Sequence, residues 1–212
     1  MPKDVATYSP LEEKWNIYTH GLGFVASLIG LGFLCFRESV TRTYTISAIV
    51  FGLSLCILYF ASTIYHNATN PIRRARLQIF DHAAIYILIA GTYTPFTLVT
   101  LEGNTGLIIF CITWGIAIFG VILKLFFTGR FDILSTILYV AMGWLIVFAY
   151  TPLVEKLHPL GVQWLFGGGI AYTVGAILYS IKRIPFNHAI FHVFVLIGSF
   201  CHFMSVYFYV GH

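Results

Sequence analysis

The sequence predicts an all-α membrane protein, a single bundle of seven transmembrane helices. Only 9% of the 212 residues are charged and 58% are hydrophobic, whereas about a quarter of the residues in a soluble domain are charged. Seven separate apolar stretches follow one another along the chain. Each is about 20 residues long, which is the length of a helix that crosses the hydrocarbon core and about twice that of a barrel strand.

The composition also excludes several classes of protein. The formal net charge of +4 comes from scattered lysines and arginines, so no nucleic-acid partner is expected. The high hydrophobicity excludes intrinsic disorder. The cysteines lie far apart within apolar stretches, and neither a disulfide framework nor a thiolate metal site is predicted. The four cysteines are Cys35, Cys56, Cys111 and Cys201.

Turn-forming residues mark the boundaries between the spans. A polar segment, 1–15, precedes the first span, and an Asn-Pro pair at 70–71 ends the second. Pro95 lies inside the third span and predicts a kink. No connection is long enough for a soluble domain, so 16–210 form one seven-helix domain. The predicted spans are 16–36, 43–66, 78–100, 105–127, 132–151, 160–182 and 187–210.

The basic residues predict the orientation of the bundle. Nine lysines and arginines fall on the side of the amino terminus and three on the other side. Because basic residues accumulate on the cytoplasmic side, the amino terminus is expected in the cytoplasm and the carboxyl terminus outside. The nine are Lys3, Lys14, Arg73, Arg74, Arg76, Lys124, Arg130, Lys182 and Arg183, and the three are Arg37, Arg42 and Lys156.

Ionisable side chains within the spans are the candidate functional residues, because burying them in a bilayer is costly. Asp81 is the only carboxylate clearly within a predicted span. His188 and His192 are four residues apart and share a helix face, so they could bind one metal ion. Ser62 and His66 share a face in the same way. Taken alone, His188 and His192 are equally compatible with hydrogen bonds to neighbouring helices. For His66 alone, the pattern favours an interfacial ring in water.

The alternating direction of the spans brings these residues to one depth. His66 ends the second span, Asp81 lies one turn into the third, and His188 and His192 lie in the first two turns of the seventh. All four are therefore expected near the cytoplasmic leaflet, which predicts a shared metal site. Three histidines with an open fourth position are typical of catalytic zinc, so we expect one Zn²⁺ per chain, although imidazole ligands also suit iron, nickel and copper.

Other polar residues are expected around this site. Asp81 would act as general base or orienting group beside the metal. Ser62 would bind water or a substrate carbonyl, with a hydrogen bond to its own helix backbone as the alternative. Glu13, Asn16 and His20 form a polar stripe at the entry of the first span and are predicted to surround the metal ligands, with helix capping and interfacial anchoring as the alternative. His202 lies about 15 Å farther along the seventh helix, and packing or gating is expected there.

These residues resemble the hemolysin III family of bacterial membrane proteins, which is related to the progestin and adipoQ receptors, including the adiponectin receptors. The resemblance extends from about Glu12 to Tyr209. The matching motifs are Glu13-x-x-Asn16-Ile-Tyr-Thr-His20, Ser62-x-x-x-His66, Asp81 followed by Gly91-Thr-Tyr-Thr-Pro95, and His188-x-x-x-His192.

The resemblance implies a seven-helix fold with a cytoplasmic amino terminus, in a bacterial plasma membrane. It also implies zinc held by His66, His188 and His192, with the family's aspartate at Asp81 and its serine at Ser62. A wider relationship to alkaline ceramidases implies amide hydrolysis within the membrane. Only about 15 residues precede the first predicted span, so binding of adiponectin or progestin is not carried over.

Three functions follow as hypotheses, each with a membrane lipid as substrate or ligand. The first is a zinc-dependent hydrolase acting on a lipid amide or ester. The second is a receptor, sensor or regulator of lipid homeostasis in which zinc is structural. The third is a pore-forming, cytolytic protein, as the family name implies, although a pore would need polar residues across the whole bilayer. The sequence makes no prediction about the oligomeric state.

Overall fold

A computed structural model describes residues 7–38, 40–128 and 131–211, which form helices and no strands. Seven helical stretches within this part of the chain are long and apolar enough to cross a membrane. The predicted all-helical, seven-span architecture is therefore confirmed. The α-helices are α1 (Pro10–Cys35), α2 (Arg42–His66), α3 (Pro71–Pro95), α4 (Gly103–Phe127), α5 (Asp132–Gly143), α6 (Tyr150–Lys156), α7 (Pro159–Ser180) and α8 (Asn187–Tyr209).

Two helices begin well before the apolar stretches that predicted them. The first starts at Pro10, where the Ser9 side chain accepts a hydrogen bond from the backbone N–H of Glu12 at 3.2 Å. The third starts at Pro71, where the Asn70 side chain accepts two such bonds. Polar caps and proline at the first helical position are typical helix starts. A search for apolar residues finds only the part of a helix that lies in hydrocarbon.

The third span continues beyond Pro95. Residues Phe96–Leu101 extend it as a π-helix, so the proline marks a change in the hydrogen-bonding pattern of the helix. The complete span covers Pro71–Leu101. Proline inside a helix removes one backbone donor, and the wider π-turn accommodates this loss.

The fifth span is present but is not one continuous α-helix. It consists of α5, a 3₁₀ segment at Leu145–Ala149, and α6. At the break, the Tyr93 hydroxyl of α3 donates to the Gly143 carbonyl at 2.8 Å and accepts from the Ile146 N–H at 2.8 Å. Broken helices within a membrane require such partners for their freed backbone groups. A side chain from another helix therefore permits the break.

The packing places α2 and α3 at the centre of the bundle, where they are the most buried spans. The contacts of α1 with α2 and α8, of α3 with α4, and of α7 with α8 complete the bundle. Large apolar side chains on the outer faces are exposed, as expected for surfaces that contact lipid. This arrangement brings the starts of α1, α3 and α8 and the end of α2 together at one end of the molecule.

Candidate metal centre

Three imidazole rings meet at this end of the bundle. His66 is the last residue of α2, and His188 and His192 lie in the first two turns of α8. The Nε2 atom of His188 lies 3.1 Å from the Nε2 atoms of both other rings. One ligand atom from each of the three buried residues lies within 4.8 Å of the others. Tetrahedral zinc with bonds of about 2.0–2.1 Å separates its nitrogen ligands by about 3.3 Å, so the spacing fits a metal ion.

The partners of the other ring nitrogens assign the tautomers. The Nδ1 atom of His66 donates to Glu13 Oε2 at 2.7 Å, and the Nδ1 atom of His192 donates to the Asn16 backbone carbonyl at 3.3 Å. Carboxylate and carbonyl oxygens only accept hydrogen bonds. In the neutral rings, the proton is therefore on Nδ1, and both Nε2 atoms present bare lone pairs to the centre.

The chemistry of this donor set favours a bound cation. The Nε2 atom of His188 carries at most one proton and can donate it to only one of its two neighbours. At least one of the two contacts at 3.1 Å is therefore not a hydrogen bond, and brings two nitrogens together without a proton between them. A metal ion would stabilise this close contact by accepting a lone pair from each of the three nitrogens, and neutral imidazole is a good ligand for Zn²⁺. His66, His188 and His192 could thus hold one zinc ion.

The residues predicted around the ligands contact them in different ways. Glu13 bridges His66 and Arg74, forming an ion pair with the guanidinium group. The Asn16 side-chain amide lies 3.4 Å from His66 Nδ1. The His20 ring stacks on His192 with 3.5 Å between centroids and an angle of 9°, while neither of its nitrogens has a hydrogen-bond partner among the described residues. His20 therefore supports the site by ring packing.

Asp81 and Ser62 lie beside the three histidines but not among the possible ligands. Both side chains are buried, and both line a cavity that His188 and His192 also line. The Ser62 hydroxyl lies next to the Asp81 carboxylate, and among the described residues it has no hydrogen-bond partner of ordinary geometry. A carboxylate and the hydroxyl next to it thus face the cavity that two of the three histidines also line.

This cavity has a volume of about 180 Å³ and lies between α2, α3, α5, α7 and α8. Most of its wall is apolar, with aromatic and aliphatic side chains from several helices. His82, the residue after Asp81, also lines it, because the cavity is wide enough to contact two adjacent positions of α3. His202 lies deeper, where its Nε2 atom donates to the Leu165 carbonyl at 3.1 Å. It does not contact the three histidines through its nitrogens.

Two residues near the ligands were missed by the sequence analysis. The Thr19 hydroxyl lies 3.3 Å from His192 Nδ1, and its position three residues after Asn16 on the same helix face was the available signal. Tyr8 precedes the first helix, and its ring stacks on His188 with 4.6 Å between centroids. Burial raises the pKa of the Tyr8 phenol above its ordinary value. No periodic pattern covers Tyr8, so this contact could not be predicted from the sequence.

Comparison with known proteins identifies the family to which this chain belongs. The sequence model of the protein family described as "Haemolysin-III related" matches residues 8–203 of this chain. This range contains every residue of the site. The chain is 46% identical to the "Hemolysin-3 homolog" of Bacillus subtilis (strain 168) over 200 residues, 93% of this chain and 94% of that protein. Identity to "Hemolysin-3" of Bacillus cereus is 46% over 201 residues, 94% and 92% of the two chains.

A more distant relative is human. The chain is 27% identical to the "Monocyte to macrophage differentiation factor" of Homo sapiens over 206 residues, 94% of this chain and 84% of that protein. That protein belongs to the progestin and adipoQ receptor family, which confirms the expected relationship. Together with the seven apolar helices, the bacterial relatives support a multi-pass protein of a bacterial membrane. The chain is an integral membrane protein and belongs to the haemolysin III family.

Proposed function

We propose that this protein is a zinc-dependent hydrolase that cleaves an amide or ester bond of a membrane lipid. The observation that carries the proposal is the juxtaposition of three imidazole Nε2 atoms with a buried carboxylate and a mostly apolar cavity. His66, His188 and His192 would hold one Zn²⁺ per chain. Zinc in such a site acts as a Lewis acid that polarises a carbonyl group and makes water a better nucleophile.

The side chains beside the histidines would move the protons of this hydrolysis. Asp81 accepts a proton from the attacking water and transfers it to the leaving nitrogen or oxygen as the carbonyl–heteroatom bond breaks. The products are a carboxylic acid and an amine or alcohol. Ser62 donates a hydrogen bond to the carbonyl oxygen, where negative charge develops. Its hydroxyl lines the cavity beside Asp81, where the substrate carbonyl would lie.

The cavity supports a lipid as substrate. Its apolar wall would hold an acyl chain and keep bulk water away from the reacting bond. Polar groups of the site occupy the end of the bundle, where a headgroup meets the hydrocarbon region. The excess of basic residues on that side supports a cytoplasmic location for this end. The acyl chain would extend inward, toward His202, while the bond to be cleaved lies beside Asp81.

A direct test compares lipid hydrolysis by the purified protein with hydrolysis by Asp81→Asn. Ceramides, acylglycerols and phospholipids are offered in mixed micelles, and the released fatty acid is quantified by mass spectrometry. We expect Asp81→Asn to retain zinc and to lose roughly 10²- to 10⁴-fold in rate, the usual contribution of general acid–base catalysis. Glu38→Gln, which changes an exposed carboxylate, is the matched control and is expected to retain full activity.

Two results would overturn the proposal. Equal rates for the wild type and Asp81→Asn would refute the role of the carboxylate. Zinc-loaded wild-type protein that hydrolyses none of these lipids would refute the enzymatic function, and would favour a receptor or sensor in which zinc is structural.

A further inference from the structure

Tyr8, two residues before the start of α1, lies over two rings of the histidine cluster. Tyr8 stacks on His188 with an angle of 21° between the rings, and its centroid lies 5.7 Å from that of His66. The next residue, Ser9, is fixed by the helix cap, since its side chain accepts from the Glu12 N–H and its carbonyl accepts from the Glu13 N–H at 2.9 Å. Because Ser9 directly follows Tyr8, this cap restrains the backbone on the carboxyl-terminal side of Tyr8.

The histidine cluster lies between two hollows. His188 and His192 line the internal cavity, whereas His66 lines a shallow depression at the end of the bundle. Tyr8 contributes to the wall of the depression and not to that of the cavity. The phenol ring thus occupies the outer side of the cluster. The other residues of the depression are Thr7, Glu13, Ile17, Asn67, Ala68, Thr69 and Arg74.

His188 also differs from the other two histidines in how its ring is held. In most metal-binding histidines, the ring nitrogen that does not bind the metal donates its N–H hydrogen bond to an oxygen atom. This bond fixes the orientation of the ring. His66 and His192 have such partners, but the Nδ1 atom of His188 is buried with no hydrogen-bond partner among the described residues. Ring contacts with Tyr8 and, at 5.4 Å, with Tyr179 surround it instead.

We propose that Tyr8 is the cover of the metal centre: it orients the His188 ring by stacking and closes the path from the depression to the three imidazoles. The metal-related part of this inference rests on the proposed zinc binding. Zinc would exchange with the aqueous phase through the depression, which both Glu13 and Arg74 line. Tyr8 is a positioning residue, so removing it would alter metal exchange and access to the imidazoles.

Zinc release measures the first consequence. The full-length, zinc-loaded protein is mixed with excess EDTA, and the zinc remaining on the protein is measured over time. We expect Tyr8→Ala to release zinc roughly three to ten times faster than the wild type, the factor that corresponds to the loss of one aromatic stack. Tyr8→Phe retains the ring and should stay within about twofold. Tyr18→Ala, which removes a 66% exposed tyrosine of α1, is the matched control.

Covalent labelling measures the second consequence without a metal. Metal-free protein is treated with diethylpyrocarbonate, and labelling of His66 and His188 is quantified by peptide mass spectrometry relative to the exposed His158. Faster labelling of the two buried rings in Tyr8→Ala, but not in Tyr8→Phe, is the expected result. Equal labelling in all variants would refute the proposal that Tyr8 blocks access to the imidazole rings.

The two measurements separate the possible failures. A wild type that binds no zinc, yet shows the expected labelling, would refute the proposed function while the cover remains. Equal zinc release from the wild type and Tyr8→Ala would refute the control of metal exchange by Tyr8 and leave the proposed function intact.

Discussion

The carboxylate of Glu13 provides a quantitative test of the metal centre. It accepts the Nδ1 proton of His66 at 2.7 Å and forms an ion pair with Arg74. Glu13→Gln retains the shape of the side chain but replaces a charged acceptor with a neutral one. Such partners of metal-binding histidines contribute about 10- to 100-fold to metal affinity, which corresponds to about 1.4–2.7 kcal/mol.

We therefore expect Glu13→Gln to weaken zinc binding by about 10- to 100-fold. The dissociation constant is measured by competition with a chelator of known affinity, at fixed pH and salt. Glu12→Gln is the matched control, because Glu12 lies in the same helical turn and is not among the hydrogen-bond or ion-pair partners of His66. A folded Glu13→Gln protein that binds zinc within twofold of the wild type would refute the supporting role of this carboxylate.

Two further predictions concern stability, measured by thermal unfolding in detergent. Tyr93→Phe removes the hydroxyl that binds two backbone groups at the break in the fifth span. It should lower the free energy of unfolding by about 1–3 kcal/mol for each group left without a partner. The control, Tyr18→Phe at an exposed position, should change this free energy by less than about 0.5 kcal/mol. Gly91→Ala places a Cβ atom 2.6 Å from Ser54 Cβ and should lower the free energy of unfolding by about 1–3 kcal/mol. In the control, Gly115→Ala, the new Cβ atom meets no atom within 4 Å, and the free energy of unfolding should rise by about 0.5–1 kcal/mol. If Tyr93→Phe or Gly91→Ala were as stable as the wild type, the contact described for that residue would be refuted.

The sequence was sufficient to predict the overall architecture, because apolar length is a strong signal in membranes. It also placed the three histidines at one end of the bundle. Two of them share a face through their spacing of four residues, and the alternating direction of the spans brings the end of the second span, at His66, to the start of the seventh. Neither argument depends on details of side-chain packing.

Contacts between distant segments could not be predicted in this way. The break after Gly143 depends on the Tyr93 hydroxyl of another helix, and a hydropathy pattern contains no information about it. Tyr8 precedes the first span in a segment without periodicity, yet its ring lies on His188. The stacking of His20 on His192 depends on the rotation of α1 against α8. Each of these features is set by tertiary packing.

The most direct test of the metal centre is the zinc content of the purified protein, measured by elemental mass spectrometry beside the His188→Ala/His192→Ala variant. His158→Ala, which changes an exposed histidine, is the control. We predict about one zinc per chain in the wild type and the control, and none in the double variant, because three imidazoles are needed to hold the ion. A folded, chelator-free wild-type protein without zinc would contradict the proposed zinc site.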